Sequence, residues 1–475
     1  MTLPGIDLPW SASLVDAGRA LRDRRCSSEQ LVSRCLERIE ALDGQLHAFV
    51  EVYRDEALAT ARAMDGMFAA GVRLGPLQGL PIAVKDLFEI EGRRITGGSI
   101  AEPPRVSTIT AAAVQRLREA GAVIIGKTHT VEFAFGGWGT NAVMGTPWNP
   151  WDLKTHRVPG GSSSGSAVAV AAGMAMAALG TDTGGSVRIP AGMCGLVGLK
   201  TTGGAISRAG LLDLCPTHDT VGALCCSAED AALLFDVLSG RDGHEAAPWP
   251  GHADATSPQL AGALDRVRGL RAWVLPADER EAIEPAVLAA CDAALDTLAA
   301  HGVQRVAAPL PQSLARHMAI AGDLMSAEGY AQLGPLFERE DLRFDPHVRR
   351  RVLAGRDVSA AAYLRLKRER QLAQHAMARA MEPVDVCMFP TNPVTAIPVA
   401  EVDESRTPLA LLGRFVNLLD LCSVAVPVGL SPAGLPVSMQ VIGRPHAEAL
   451  VLRLAHAYQQ VSGWHRLTPP GLNSG

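Results

Sequence analysis

The chain has 475 residues, more than one hydrophobic core usually organises, so its length calls for two or three domains or one large layered α/β domain. Apolar residues make up 48% and charged residues 20%, and the formal net charge is −5. These values suit a globular protein in water, and they exclude the basic footprint of a nucleic-acid binder.

The nine cysteines, at 26, 35, 194, 215, 225, 226, 291, 387 and 422, are odd in number and form no CxxC pair. Neither a disulfide framework nor a zinc ribbon is expected, and a reducing cytoplasm fits best. The opening "MTLPGIDLPW" lacks the basic and apolar regions of a secretory signal. The longest run of small apolar residues, 167–179, is too short to span a bilayer and reads as a buried helix.

In "SSEQLVSRCLERIEAL", Ser27 followed by Gln30 suits a capping box, and Leu31, Cys35, Ile39 and Leu42 recur at helical spacing. From 77 to 201 glycine-rich turns alternate with short β-branched runs at 82–84 and 123–125 and with a helix at 110–120, an α/β layered pattern. Residues 240–262 read as an exposed connection, and the stretch to about 382 reads as mostly helical, most clearly in "PAVLAACDAALDTLAAHG". Strand-like "VDVCMFP" and "PVSMQVIG" follow, then a helix in "EALVLRLAHAYQQV". There is no internal repeat and no low-complexity tract.

Two motifs match in letters but not in context. "GAVIIGKT", 121–128, fits the phosphate-loop pattern, yet a helix precedes it and its four middle residues read as a strand rather than a cradle. "GSSSG", 161–165, centres Ser163 in a nucleophile-elbow pattern, but the residues before it are too polar and proline-interrupted for a central strand. The thirteen histidines include no HExxH pair, and His129 and His156 read as packed or surface residues rather than general bases.

A third feature combines three segments. "GGSSSGS" precedes the small-residue run and "GTDTGGSVRIPA", 180–191, follows it. Glycine-bearing backbone in "DTGGS" can aim several N–H groups at one point, a nest suited to an oxyanion, with the Ser186 hydroxyl beside it. Lys85, closing the apolar run of "LPIAVKDLF", is placed for desolvation, which lowers an amine's pKa and lets it act as the base of a Ser/Lys pair. Phe133, Phe135 and Trp138, around the glycines of "FGGWG", are candidates for an apolar acyl or aryl pocket.

These segments, with "AGAVIIGKTHTVEFAFG", "NPWDLKTHRVPGGSSSGSAVAVAAGM", "LGTDTGGSVRIPAGMCGLVGLKTT" and "GLPVSMQVIGRPHAEALVLRLAHAY", resemble the amidase signature family. The resemblance is dense over 77–202, returns over about 385–458 and is weak between. It implies a triad of Lys85, a cis-linked Ser162 and a nucleophilic Ser186, the two serines falling at the family's spacing. It further implies that Lys85 draws a proton through Ser162, that Ser186 attacks the carbonyl, and that the N–H groups of Thr183, Gly184, Gly185 and Ser186 hold the oxyanion. Ser163 matches a supporting serine, and Ser164 stands where glycine is common. Asp182 and Arg188 read as structural, although in the family an arginine just past the nucleophile sometimes binds a substrate carboxylate.

The expected fold is an α/β/α sandwich with a mixed central sheet, one amidase-signature-like domain over 1–475 whose region of about 240–382 is variable. The expected function is hydrolysis of carbon–nitrogen bonds in small non-peptide linear amides, with aryl amides and carbamates (urethanes) as candidates. Phe135, Gly136, Gly137 and Trp138 would form the substrate pocket. No cofactor, metal, nucleic acid or membrane span is expected, and a homodimer is left open. The alternative is a glutamine-hydrolysing amidotransferase subunit delivering ammonia to a partner. A binding protein that has lost catalysis is disfavoured by the complete Lys85, Ser162 and Ser186 set.

Overall fold

A computed structural model describes residues 8–240 and 260–472. Its centre is an eleven-stranded mixed sheet whose strands run in the order Phe49–Val52, Val123–Thr128, Pro81–Lys85, Ala177–Asp182, Thr220–Cys225, Val197–Lys200, Cys422–Leu430, Pro436–Gly443, Val386–Pro390, Arg271–Val274 and Gln304–Val306. Helices cover it on both faces, the α/β layered architecture expected from the alternating texture of the sequence. The main core cluster draws on residues from Ala12 to Leu472, nearly the whole span of the described residues.

Local signals account for many elements. The helix Ser28–Leu46 begins with a complete capping box: Gln30 N–H donates to Ser27 Oγ at 3.1 Å, and Ser27 N–H donates to Gln30 Oε1 at 2.9 Å. Its apolar stripe buries Leu31, Cys35 and Ile39. Val123–Thr128 is buried along its whole length, as a strand covered on both faces should be.

The expectation of one buried helix over 167–179 is corrected. The run divides into the helix Ser164–Ala171, a turn with Gly173 at φ +68°, and the strand Ala177–Asp182. Both pieces are buried on every side, so neither the helical period nor strand alternation marks the sequence. The region after the connection is mostly helical, with Pro285–Ala300, Leu314–Phe337, Pro346–Leu353 and Ala360–Ala380. It also supplies the short edge strands Arg271–Val274 and Gln304–Val306, which its composition does not announce. The expected connection over 240–262 lies largely outside the described residues.

Pro81–Lys85 pairs in parallel with both Val123–Thr128 and Ala177–Asp182. The carboxyl ends of the three strands therefore share one edge of the sheet, the place where open α/β sheets form sites. Lys85 and Asp182 close two of those strands, and the turns that follow carry the serine-rich segments.

Candidate active site

Lys85 is the last residue of its strand and is 0% exposed. Its Nζ donates to Ser162 Oγ at 2.8 Å and to Thr181 Oγ1 at 2.8 Å. Burial lowers its pKa to about 7, while the charges of Asp219 and Asp182 act in the opposite direction. Near neutral pH a large share of the amine is thus free of its proton and able to accept one.

Ser162 is also 0% exposed, and the Gly161–Ser162 peptide bond is cis. Its carbonyl accepts from Val131 N–H at 3.2 Å and Thr130 Oγ1–H at 3.1 Å. Gly161 N–H donates to Gly137 O at 2.7 Å and Gly160 N–H to Trp138 O at 3.1 Å, which locks the serine turn onto the "FGGWG" loop. The two backbones touch there: a Cβ on Gly139, at φ +88°, would lie 2.4 Å from Gly160 O, so only glycine fits. Ser163 ties three segments together. Its N–H donates to Ser186 O at 3.1 Å, and its hydroxyl lies 3.3 Å from both the carbonyl and the N–H of Thr181.

The turn after Ala177–Asp182 is built around Asp182 and Arg188, each at most 1% exposed. Arg188 grips the Asp182 carboxylate in a forked pair at 3.1 and 3.0 Å. Its remaining donors go to Gln440 Oε1 at 2.8 Å, Gly413 O at 3.1 Å and Asn417 Oδ1 at 2.7 Å. Burial opposes ionisation of Asp182, but the Arg188 guanidinium holds the carboxyl well below the usual range. Arg188 is fully engaged within the fold, which supports its structural reading over contact with a substrate.

One expected oxyanion donor is corrected. Gly185 N–H is committed to Asp182 Oδ1 at 2.7 Å, so it is not free to face a substrate. Thr183, Gly184 and Ser186 remain the candidate donors. Thr183 is itself held from behind, its hydroxyl donating to Asp219 Oδ1 at 2.6 Å, while Asp219 Oδ2 accepts from Leu214 N–H at 2.8 Å and Cys215 N–H at 2.9 Å. Neither Thr181 nor Asp219 is singled out by the sequence as a site residue. Thr181 lies inside a quoted motif, whereas only the folded chain brings Asp219 to the turn.

Ser186, 7% exposed, is the member of the Lys85, Ser162 and Ser186 set that opens on a cavity. That narrow cavity, of about 40 Å³, is also lined by Phe135, Gly136, Gly137 and Trp138. Phe133 does not line it: its ring meets Phe337 edge-on at 5.5 Å, in the apolar cluster that backs Phe135. The sequence-based pocket is therefore corrected at that residue. Two arginines on the cavity wall, Arg351 and Arg414, escape sequence reasoning, because both come from helices distant in the chain.

The remaining candidates are absorbed by the fold. Lys127 of the phosphate-loop-like string is buried, pairing with Asp86 at 3.0 Å and donating to Arg94 O at 2.8 Å. His129 is buried and its pKa lowered by burial to about 4, and His156 stacks on Trp148 at 4.3 Å. Among the described residues, no group of three or more His, Cys, Asp and Glu side chains is gathered to hold a metal, and no helix is long and apolar enough to cross a membrane.

Fold and site together define an enzyme acting on carbon–nitrogen bonds. The chain belongs to the Amidase family, whose profile matches residues 30–452. It is 36% identical to a glutamyl-tRNA(Gln) amidotransferase subunit of Geobacter metallireducens, over 94% of this chain and 96% of that one. It is 37% identical to the 2-amino-5-chloromuconic acid deaminase of Comamonas testosteroni, over 95% of this chain and 96% of that one. The solved peptide amidase of Stenotrophomonas maltophilia superposes with a TM-score of 0.83 at 28% identity, covering 98% of this chain and all of that one.

Proposed function

We propose that the chain is a serine hydrolase of small linear amides in which Ser186 is the nucleophile, Ser162 the proton relay and Lys85 the base. What chiefly supports this reading is the buried contact of Lys85 Nζ with Ser162 Oγ at 2.8 Å, made by an amine whose pKa is lowered to about 7. Neutral Lys85 takes the Ser162 proton as Ser162 takes that of Ser186, and the Ser186 oxygen bonds to the amide carbon. The carbonyl oxygen becomes an oxyanion facing the N–H groups of Thr183, Gly184 and Ser186. The relay then runs backwards: Ser162 gives its proton to the departing nitrogen and Lys85 returns one to Ser162. The C–N bond breaks, leaving an acyl-Ser186 ester that a water molecule, deprotonated by the same relay, hydrolyses. Asp182, Arg188 and Ser163 hold the two turns at their separation.

Carbamates and aryl amides present the same carbonyl and remain candidate substrates, and a reducing cytoplasm suits the nine free thiols. The test is turnover of an aryl amide, an aryl carbamate, a linear aliphatic amide and glutamine by the wild type and by Ser186→Ala and Lys85→Ala. Loss of turnover in folded Ser186→Ala and a fall of about 100- to 10,000-fold in folded Lys85→Ala support the assignment, and full activity in either refutes it.

The amidotransferase relatives favour a second reading, a subunit that releases ammonia from glutamine for a partner. It requires that glutamine outcompete other amides and that a second protein co-purify with the chain.

A further inference from the structure

The cavity in front of Ser186 is lined by two cations whose circumstances differ. Arg351 is satisfied: it pairs with the Glu404 carboxylate, donates to Glu404 O at 3.0 Å and to Phe135 O at 2.8 Å. Arg414 is not. Its stem crosses the Ser186 turn, close enough that a Cβ on Gly184 would lie 3.0 Å from Arg414 Cγ. Beyond the stem, its guanidinium makes one long bond, to Met318 O at 3.4 Å, and among the described residues no carboxylate comes within ion-pair distance of it. Burial together with the neighbouring Arg351 charge lowers its pKa to about 10, which leaves it charged at neutral pH, while Asp323 is an exposed and more distant counter-charge. Trp138, 5% exposed on the same wall, has a buried Nε1–H with no acceptor. A half-buried guanidinium on a cavity wall with no anion beside it is costly unless a ligand supplies acceptors.

From this we infer that Arg414 forms a carboxylate subsite, and that the amides cleaved at Ser186 carry a carboxylate on the acyl side and no ammonium group. The second half follows from the sign of the wall: among the described residues no carboxylate lines the cavity, and Glu404 behind it is engaged by Arg351, so nothing stands ready to receive a cation. This inference rests on the amide-hydrolase reading. It separates two acids that differ by a single group, since glutamine is glutaramate bearing an α-ammonium.

The experiment compares kcat/KM for succinamate, glutaramate, valeramide and glutamine with the wild type, Arg414→Met and Arg414→Lys, each checked for folding by thermal unfolding. The expected result is that the wild type prefers one of the carboxylated amides over valeramide by about 10- to 100-fold and over glutamine. Arg414→Met erases the preference chiefly through KM, and Arg414→Lys keeps part of it. The wild-type ranking and competitive inhibition by glutarate need no variant, so a misfolded Arg414→Met does not remove the test. Valeramide or glutamine turned over as well as the carboxylated amides overturns the subsite while leaving the amidase reading intact. Absence of turnover on every amide, with no covalent labelling of Ser186 by a fluorophosphonate, overturns both.

Discussion

Lys85 Nζ and Ser162 Oγ lie 2.8 Å apart with neither side chain reaching solvent. A lysine in that position serves as a base only without its proton, and burial brings its pKa to about 7. The activity is therefore expected to fall as the pH drops through about 7, by about tenfold per pH unit on the acidic side, as the amine becomes protonated. Lys85→Ala should cost about 100- to 10,000-fold in kcat. A pH profile of kcat/KM on one amide checks the first expectation, and single-substrate kinetics check the second.

Asp219 touches both halves of this arrangement. Its Oδ1 accepts from the Thr183 hydroxyl at 2.6 Å, and its charge raises the pKa of Lys85. Burial in turn pushes the Asp219 carboxyl up to about 6. Asp219→Asn removes the charge and keeps one acceptor oxygen, so the acidic limb of the pH profile should move to lower pH, while the lost acceptor for Leu214 and Cys215 N–H lowers the thermal midpoint without unfolding the protein. A residue acting only as a strut would leave that limb where it is.

Arg188 and Asp182 make a test of stability rather than chemistry. Replacing one partner of a buried forked pair strands the other charge, a loss of about 3–5 kcal/mol. Arg188→Met should lower the urea midpoint accordingly, because Asp182 would be left with N–H donors alone. If Arg188 instead served mainly to bind substrate, the midpoint would hardly move and KM would rise.

Gly413 lies inside the helix Ala410–Leu418, where alanine is the better helix former by about 1 kcal/mol. A Cβ there would nonetheless lie 2.3 Å from Gly184 O, so the helix and the turn beside Ser186 cannot keep their contact. Gly413→Ala is expected to reduce kcat at least about tenfold through displacement of the Gly184 N–H donor. Circular dichroism should show the helix content unchanged.

The parts of the site that were legible in the sequence are those carried by local backbone chemistry. Glycine and serine crowd into "GGSSSGS" and "DTGGS" because the turns there leave little room for side chains, and Lys85 ends an apolar strand that must be buried. Thr181, Asp219, Arg351 and Arg414 were not legible in those terms, since each acts through contacts between elements far apart in the chain. Gly185 shows the limit within a motif: its N–H belongs to the nest by pattern, and the carboxylate of Asp182 takes it. In the fold, the run over 167–179 conceals a helix and a strand because burial on all sides removes the periodicity that separates them. The strands Arg271–Val274 and Gln304–Val306, of four and three residues, are too short to show one.

The most direct test of the central assignment is peptide mapping after reaction with a fluorophosphonate. The account predicts a single adduct on Ser186, absent from Ser186→Ala and strongly slowed in Lys85→Ala. An adduct on Ser162 or Ser163, or labelling that persists in Ser186→Ala, would contradict it.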